Sequence, residues 1–298
     1  MHNSTLVCFG EVLWDVLPSG KMAGGAPMNV AFQASNLGLS ARMISRVGTD
    51  ELGTELLNFL NAKGVSTQYV QTDPTLPTGA VHVTLNSNGS PAYKIVQPVA
   101  WDNILPDAEL HDLVMEADAF VFGSLVCRSE RSKKTLLELL EVATLRVFDT
   151  NLRSPFYAQG LLDELLLKAD IVKLNDEELS IIASWNGVQG EEATLLHFLK
   201  EKYRLDMLIL TKGDKGAVCL DETDFYTHPG FKVSVKDTIG SGDAFLAAFL
   251  SKMLGGAGTR ECLEFACALG ALVATKQGGT PDINKLEIQQ CINSLQNS

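Results

Sequence analysis

The chain has 298 residues, 46% hydrophobic and 20% charged, enough apolar sequence for one large core and too much for disorder to dominate. Its net charge of −12 excludes nucleic acid and anionic membrane surfaces as natural partners, because nothing would offset repulsion from phosphates. An anionic small ligand would have to be held by local devices such as helix N-termini, single cations or a bridging metal.

Residues 1–5 carry no Lys or Arg, and the apolar stretch after them is broken by Glu11 and Asp15. No signal peptide is expected, and the protein reads as cytoplasmic. Residues 6–9 form the first strand-like run and residues 29–37 the first amphipathic helix, followed by a strand at 42–47 and a helix at 52–62. Further along come strands at 119–122, 146–149 and 171–174, with a helix at 133–143. A helix at 193–203 precedes strands at 207–210 and 217–220. This alternation predicts an α/β fold, a mostly parallel central sheet with helices on both faces.

Two extended segments, 12–21 and 79–95, break the alternation, and the second contains the hairpin turn Asn86-Ser-Asn-Gly89. A small sheet made from them cannot bury both of its faces. It is expected to be a lid over a cleft, built from residues of about 12–23 and 79–104, with an edge open to a second copy in a homodimer. With no linker or repeat, residues 1–298 are expected to form a single domain. The apolar run from Cys262 to Thr275 contains Glu264 and is too short to span a bilayer, so it reads as a buried helix. Six cysteines (Cys8, Cys127, Cys219, Cys262, Cys267 and Cys291), with no CxxC pair, are expected to be reduced core thiols.

The chemistry concentrates in residues 236–256, KDTIGSGDAFLAAFLSKMLGG. From Ala244 onward nearly every residue is apolar or small, as in a helix buried on most sides. Gly240, Ser241 and Gly242 precede it, where glycines let the backbone approach a ligand and turn several amides to one point. Those donors coincide with the positive helix end and predict an anion hole. Asp243, in the first turn, can take the proton of an acceptor hydroxyl during phosphoryl transfer, or simply cap the helix. GxxxxGK[ST] is absent, and Gly240-Ser-Gly242 lacks the third glycine of a dinucleotide fingerprint.

The segment Asp237-Thr-Ile-Gly-Ser-Gly-Asp243 resembles the DTxGAGD signature of the ribokinase, or PfkB-type, carbohydrate kinase family, with Ser241 in place of Ala. Gly24-Gly-Ala-Pro-Met-Asn29 resembles the N-terminal glycine motif of that family, and the likeness extends over essentially the whole chain. The resemblance implies a ribokinase-like fold and phosphorylation of a sugar hydroxyl by ATP with Mg²⁺, Asp243 being the catalytic base. It implies that Asp15, Gly24, Gly25 and Asn29 line the sugar pocket, together with Asp243. Without it, Asp15 reads as a loop residue satisfying local backbone and the glycines as a plain turn.

Asp149-Thr-Asn-Leu-Arg153 resembles the D-x-N-L-R segment of fructokinases, and Arg153 either faces sugar or phosphate oxygens or is an ordinary ion-pair partner. Asn175 and Glu178 match the family's NxxE motif, which arranges Mg²⁺ and its waters beside the ATP phosphates. They also match a helix capping box, and both readings can hold at once. Thr211, Gly213 and Gly216 resemble the T-x-G-x-x-G nucleotide loop, with charge from Lys212 or Lys215, or they form a hairpin turn. Cys267, Gly270 and Ala271 either border adenine or pack the core. Residues 276–282, with Asp237 and Ile239, fall where related kinases hold a monovalent cation such as K⁺, mostly through carbonyls. Residues 93–104 resemble a stretch of bacterial fructokinases, and Tyr93 or Trp101 offers a wall for a sugar or packs the lid.

These features favour fructose, phosphorylated at the 6-hydroxyl. Ribose, 2-keto-3-deoxygluconate and nucleosides remain open as acceptors. So do a non-catalytic sugar sensor on the same scaffold and a dinucleotide-dependent oxidoreductase.

Overall fold

The computed structural model describes residues 4–17, 20–85 and 91–296. The chain opens with strands β1 (Thr5–Phe9), β2 (Leu13–Leu17) and β3 (Gly20–Gly24), then helix α1 (Ala26–Asn36). There follow β4 (Ser40–Gly48), α2 (Glu51–Ala62), β5 (Val70–Asp73), β6 (Gly79–Leu85) and β7 (Pro91–Ile95). The middle runs through α3 (Ala108–Glu116), β8 (Ala119–Gly123), α4 (Glu130–Leu140), β9 (Arg146–Asp149), α5 (Gln159–Leu167), β10 (Ile171–Asn175) and α6 (Asp176–Trp185). The last part holds α7 (Glu192–Tyr203), β11 (Met207–Thr211), β12 (Ala217–Leu220) and β13 (Phe225–His228). It ends in α8 (Ser241–Leu254), α9 (Thr259–Ala274) and α10 (Lys285–Gln296).

Among the described residues nine strands form one sheet, in the order β13-β12-β11-β10-β9-β8-β1-β4-β5. From β5 across to β11 every pairing is parallel, and β12 and β13 close one edge antiparallel. The strands read as continuous apolar runs because both faces are covered. Leu6, Cys8, Ala119, Val121 and Ile209 point into one core, packed by α1, α8, α9 and α10. Val7, Phe9, Phe120, Phe122 and Leu208 point into the other, packed by α3 to α7. Adjacent residues therefore serve opposite cores, the period-two rule of a pleated strand. β1 lies between β4 and β8, where connections leave to either side, and a sheet of this kind opens a crevice at the carboxyl ends of its strands.

The two segments that broke the alternation form a second sheet, ordered β3-β2-β6-β7. The turn expected at Asn86–Gly89 lies outside the described residues. α1 begins at Ala26 rather than at residue 29, because Pro27 in the first turn has no amide to satisfy and suits a helix start. α4 begins at Glu130, three residues before expectation, with Ser129 at the cap position and an acidic residue on the positive helix end. All six cysteines are free and five are buried, Cys291 being half-buried. No helix among the described residues is long and apolar enough to cross a membrane.

Of the two readings left open for Trp101, packing is the one its burial supports. Its side chain is 0% exposed, clustered with Val99 and Leu125. The Arg128 guanidinium stacks 3.8 Å from its ring centroid while also gripping Asp102 at 2.7 and 2.8 Å. Apolar contacts and a cation on the ring face leave it no open face for a sugar, and its Nε1 is buried without a partner. Tyr93, the other aromatic considered, pairs with Val83 in β7. Trp101→Ala is expected to cost about 3–5 kcal/mol of stability, measured by urea unfolding.

Candidate active site

Part of the expected set comes together: Asn29 meets Asp243, Gly24 lies against Asp15, and Gly242 lies against Lys173. After β1 the chain turns at Gly10, whose carbonyl accepts from Ser45 Oγ at 2.6 Å. Glu11 then points inward, 3% exposed, with Oε1 accepting from the Ala26 amide at 3.3 Å and Oε2 buried without a partner. Gly25 caps α1 at φ 116°, and a Cβ there would collide with the Glu11 carbonyl. A Cβ on Gly24 would stand 2.6 Å from Asp15 Oδ2. The glycine motif is thus shaped by the Glu11 backbone carbonyl and the Asp15 carboxylate. Asp15 sits within β2, paired with Met22 and Val81, rather than in a loop after the first strand.

From α1, buried Asn29 donates through Nδ2 to Asp243 Oδ2 at 2.7 Å. Asp243 occupies the first turn of α8, whose cap, Gly240, is left-handed at φ 75°. A Cβ on Gly240 would strike the Gly279 backbone, so the 276–282 segment presses against the helix start. The anion hole expected at Gly240–Gly242 is corrected at Ser241, whose amide is spent on the Thr238 carbonyl at 3.2 Å, while the amides of Gly242 and Asp243 in the same first turn have no backbone acceptor among the described residues. Asp237 accepts from the amides of Ile239 at 3.0 Å and Gly278 at 2.9 Å, fastening the same segment from below.

β9 and β10 supply a buried ion pair that sequence reasoning left without a role. Lys173 Nζ lies 2.9 Å from both carboxylate oxygens of Asp149, and both side chains are under 10% exposed. A Cβ on Gly242 would stand 3.1 Å from the same Nζ, so the ammonium reaches the back of the helix start. The signal was present in the sequence. A charge inside an apolar strand such as Ile-Val-Lys-Leu must have a buried partner.

Asn175 and Glu178 form the capping box of α6, the amide of each accepted by the other's side chain at 2.9 Å. Glu178 also accepts from Thr150 Oγ1 at 2.6 Å and the Leu152 amide at 2.8 Å. With both oxygens so occupied, its donor set fits a Mg²⁺ ion reached through water rather than direct ligation. Arg153 follows on the same loop, exposed.

Thr211–Gly216 is the hairpin loop between β11 and β12, closed by Lys212 N to Gly216 O at 2.8 Å. Lys212 pairs with Glu192 at 3.1 Å, and Lys215 is exposed. Cys267 is 6% exposed in the α9 core, Ala271 half-buried, and Gly270 lets α9 approach the Ser241 carbonyl.

Carboxylates crowd this crevice. Burial pushes Glu11 up to about 7, against the pull of its own backbone, Arg153 and the Ala26 amide. Burial likewise raises Asp15 to about 6, opposed by Arg153 and increased by Asp237. Asp243 is raised by burial and pulled back by Lys173, the Asn29 hydrogen bond and Arg153. A carboxyl whose folded pKa exceeds its unfolded one stabilises the fold below the unfolded value, and that contribution fades as pH rises through the folded value. Glu11→Gln is therefore expected to abolish a loss of about 3 kcal/mol that the parent suffers between pH 4.5 and 7, read from urea unfolding across that range.

The profile of the pfkB family of carbohydrate kinases matches residues 8–286. Fructokinase-2 of Solanum lycopersicum is 32% identical over 308 residues, covering 94% of this chain and 93% of its own. Probable fructokinase-4 of Arabidopsis thaliana is also 32% identical, covering 98% and 97%. Among solved structures, fructokinase with bound ATP from Xylella fastidiosa superposes with a TM-score of 0.87 at 25% identity, covering 98% of this chain and 99% of the other. A sugar kinase from Pyrococcus horikoshii in complex with ATP gives 0.82 at 28% identity, covering 96% and 99%. The two glycine motifs, the crevice between them and the full-length match make this chain a carbohydrate kinase of the pfkB family.

Proposed function

We propose that the protein transfers the γ-phosphoryl group of ATP to the 6-hydroxyl of D-fructose, with Asp243 as the base. The observation that carries this reading is Asp243 itself, a part-buried carboxylate at the start of α8, oriented by Asn29 at 2.7 Å. The hydroxyl proton passes to Asp243 as the sugar oxygen bonds to the γ-phosphorus. The bond from that phosphorus to the bridging oxygen breaks, and ADP leaves. Free amides at Gly242 and Asp243 meet the charge on the migrating group. The names of the 32% identical relatives support fructose as the acceptor.

Asp15, Gly24, Gly25, Asn29 and Arg153 border the sugar side. Asn175, Thr211, Gly213 and Gly216 border the nucleotide, with Cys267 behind the adenine. Glu178 would hold Mg²⁺ through water, and the ion would supply neutralisation of phosphate charge. Asp237 and Ile239 are candidates for a monovalent cation. The β3-β2-β6-β7 sheet acts as a lid, and its outer strands β3 and β7 each have one bonded neighbour, so a second copy can pair along them.

Asp243→Asn is expected to retain sugar and ATP binding by calorimetry while turnover falls 10²- to 10⁴-fold, the usual share of a general base. Unchanged turnover would sink the assigned mechanism. A panel of fructose, ribose, 2-keto-3-deoxygluconate and nucleosides, with ATP, Mg²⁺ and ADP detection, is expected to give the highest kcat/KM with fructose. Binding of a sugar without any product across the panel would mark a sensor instead.

A further inference from the structure

We propose, resting on the phosphoryl-transfer reading above, that Lys173 is a positioning residue for the catalytic base. Its ammonium, held by Asp149 behind the first turn of α8, keeps the Asp243 carboxylate ionised to receive the hydroxyl proton. Three observations converge on it. Lys173 is buried in β10 among Ile171, Val172 and Leu174, where a lysine serves packing poorly. Both Asp149 oxygens sit 2.9 Å from Nζ, which fixes where the charge stands. That place adjoins the Gly242 backbone, one residue before Asp243, because any Cβ on Gly242 would be 3.1 Å from Nζ and 3.6 Å from Cε.

A buried ammonium–carboxylate pair is a poor stabiliser compared with apolar residues of the same size, so its presence at the helix start calls for another reason. Desolvation favours the protonated form of Asp243, which cannot act as a base. The groups that face it are few. Asn29 on α1 donates to it, and Lys173 on β10 and Arg153 after β9 favour its charge. Glu11 after β1 and Asp149 on β9 oppose it, and Glu178 on α6 acts on the Lys173–Asp149 pair. Arg153 is exposed and its charge is screened by water, whereas Lys173 acts across buried protein. Asp149 limits the effect while holding the cation in place. An opposite charge at such range commonly lowers a carboxyl pKa by about 1–3 units.

The two members of the pair must then move the base in opposite directions. Lys173→Met alone leaves Asp149 buried without its counter-ion, and Asp149→Asn alone leaves Lys173 so, each at a cost in stability. The test therefore rests on Asp149→Asn/Lys173→Met, which removes both charges, and adds Asp149→Asn, which keeps the cation, once circular dichroism shows it folded. The acid limb of kcat/KM reports the base in the free enzyme. It is expected to move up in the double variant, by less than a lone cation would give because the opposing Asp149 charge leaves with Lys173. In Asp149→Asn it is expected to move down. The same shifts should appear in the titration of the Asp243 carboxyl by ¹³C NMR, assigned with Asp243→Asn, which needs no turnover. A purely structural pair would change thermal stability and leave both limbs and the NMR midpoint at the parent's values, and that result overturns the proposal. A parent that phosphorylates nothing overturns the kinase reading instead, whatever the NMR midpoints do.

Discussion

The hydrogen bond from Asn29 to Asp243 joins residues separated by 214 positions in the chain. It can form only if α1, following the β1–β3 excursion, lies against the start of α8. That packing requires a helix with small and apolar residues on most sides, and Ala244, Leu246, Ala247, Ala248 and Leu250 are all 0% exposed. It also requires backbones to come closer than a side chain permits. Gly240 against Gly279, and Gly25 against the Glu11 carbonyl, are the points of approach. Remove either closeness and the carboxylate loses its orientation, although no residue that touches it has changed.

Around that bond the fold solves an electrostatic difficulty. A chain of net charge −12 gathers Glu11, Asp15, Asp149 and Asp243 at the place where a polyphosphate is expected to dock. Each carboxyl pays for burial with a raised pKa, and two cations restrain the rise: Arg153 from solvent and Lys173 from within the sheet. The positive end of α8 adds a fixed dipole that needs no side chain. Attraction here is local, as the overall charge demanded.

Much of this was legible in the sequence, for identifiable reasons. The strands at 146–149 and 217–220 have the bounds expected from their apolar runs, since a strand buried on both faces leaves little room for other residue types. The small second sheet announced itself by interrupting the rhythm. The capping box at Asn175 and Glu178 was visible as a spacing, and the structure adds that the same carboxylate also holds Thr150 and Leu152. What stayed hidden depends on contacts between distant elements. Glu11 looked like a mere interruption of an apolar stretch, and Lys173 like the flank of a motif. Trp101 suggested a sugar platform because an aromatic in a lid segment does so, until Arg128, distant in sequence, proved to occupy its face. Edge strands such as β5, Val-Gln-Thr-Asp, leave too weak a pattern to stand out.

The carboxylate of Glu178 bridges two territories. Oε2 accepts from the Asn175 amide at the cap of α6 and from Thr150 Oγ1, and Oε1 accepts from the Leu152 amide, on the loop that carries Arg153. Neither side can shift without straining the other. Loss of this one carboxylate would therefore loosen the start of α6 and the 150–152 loop together.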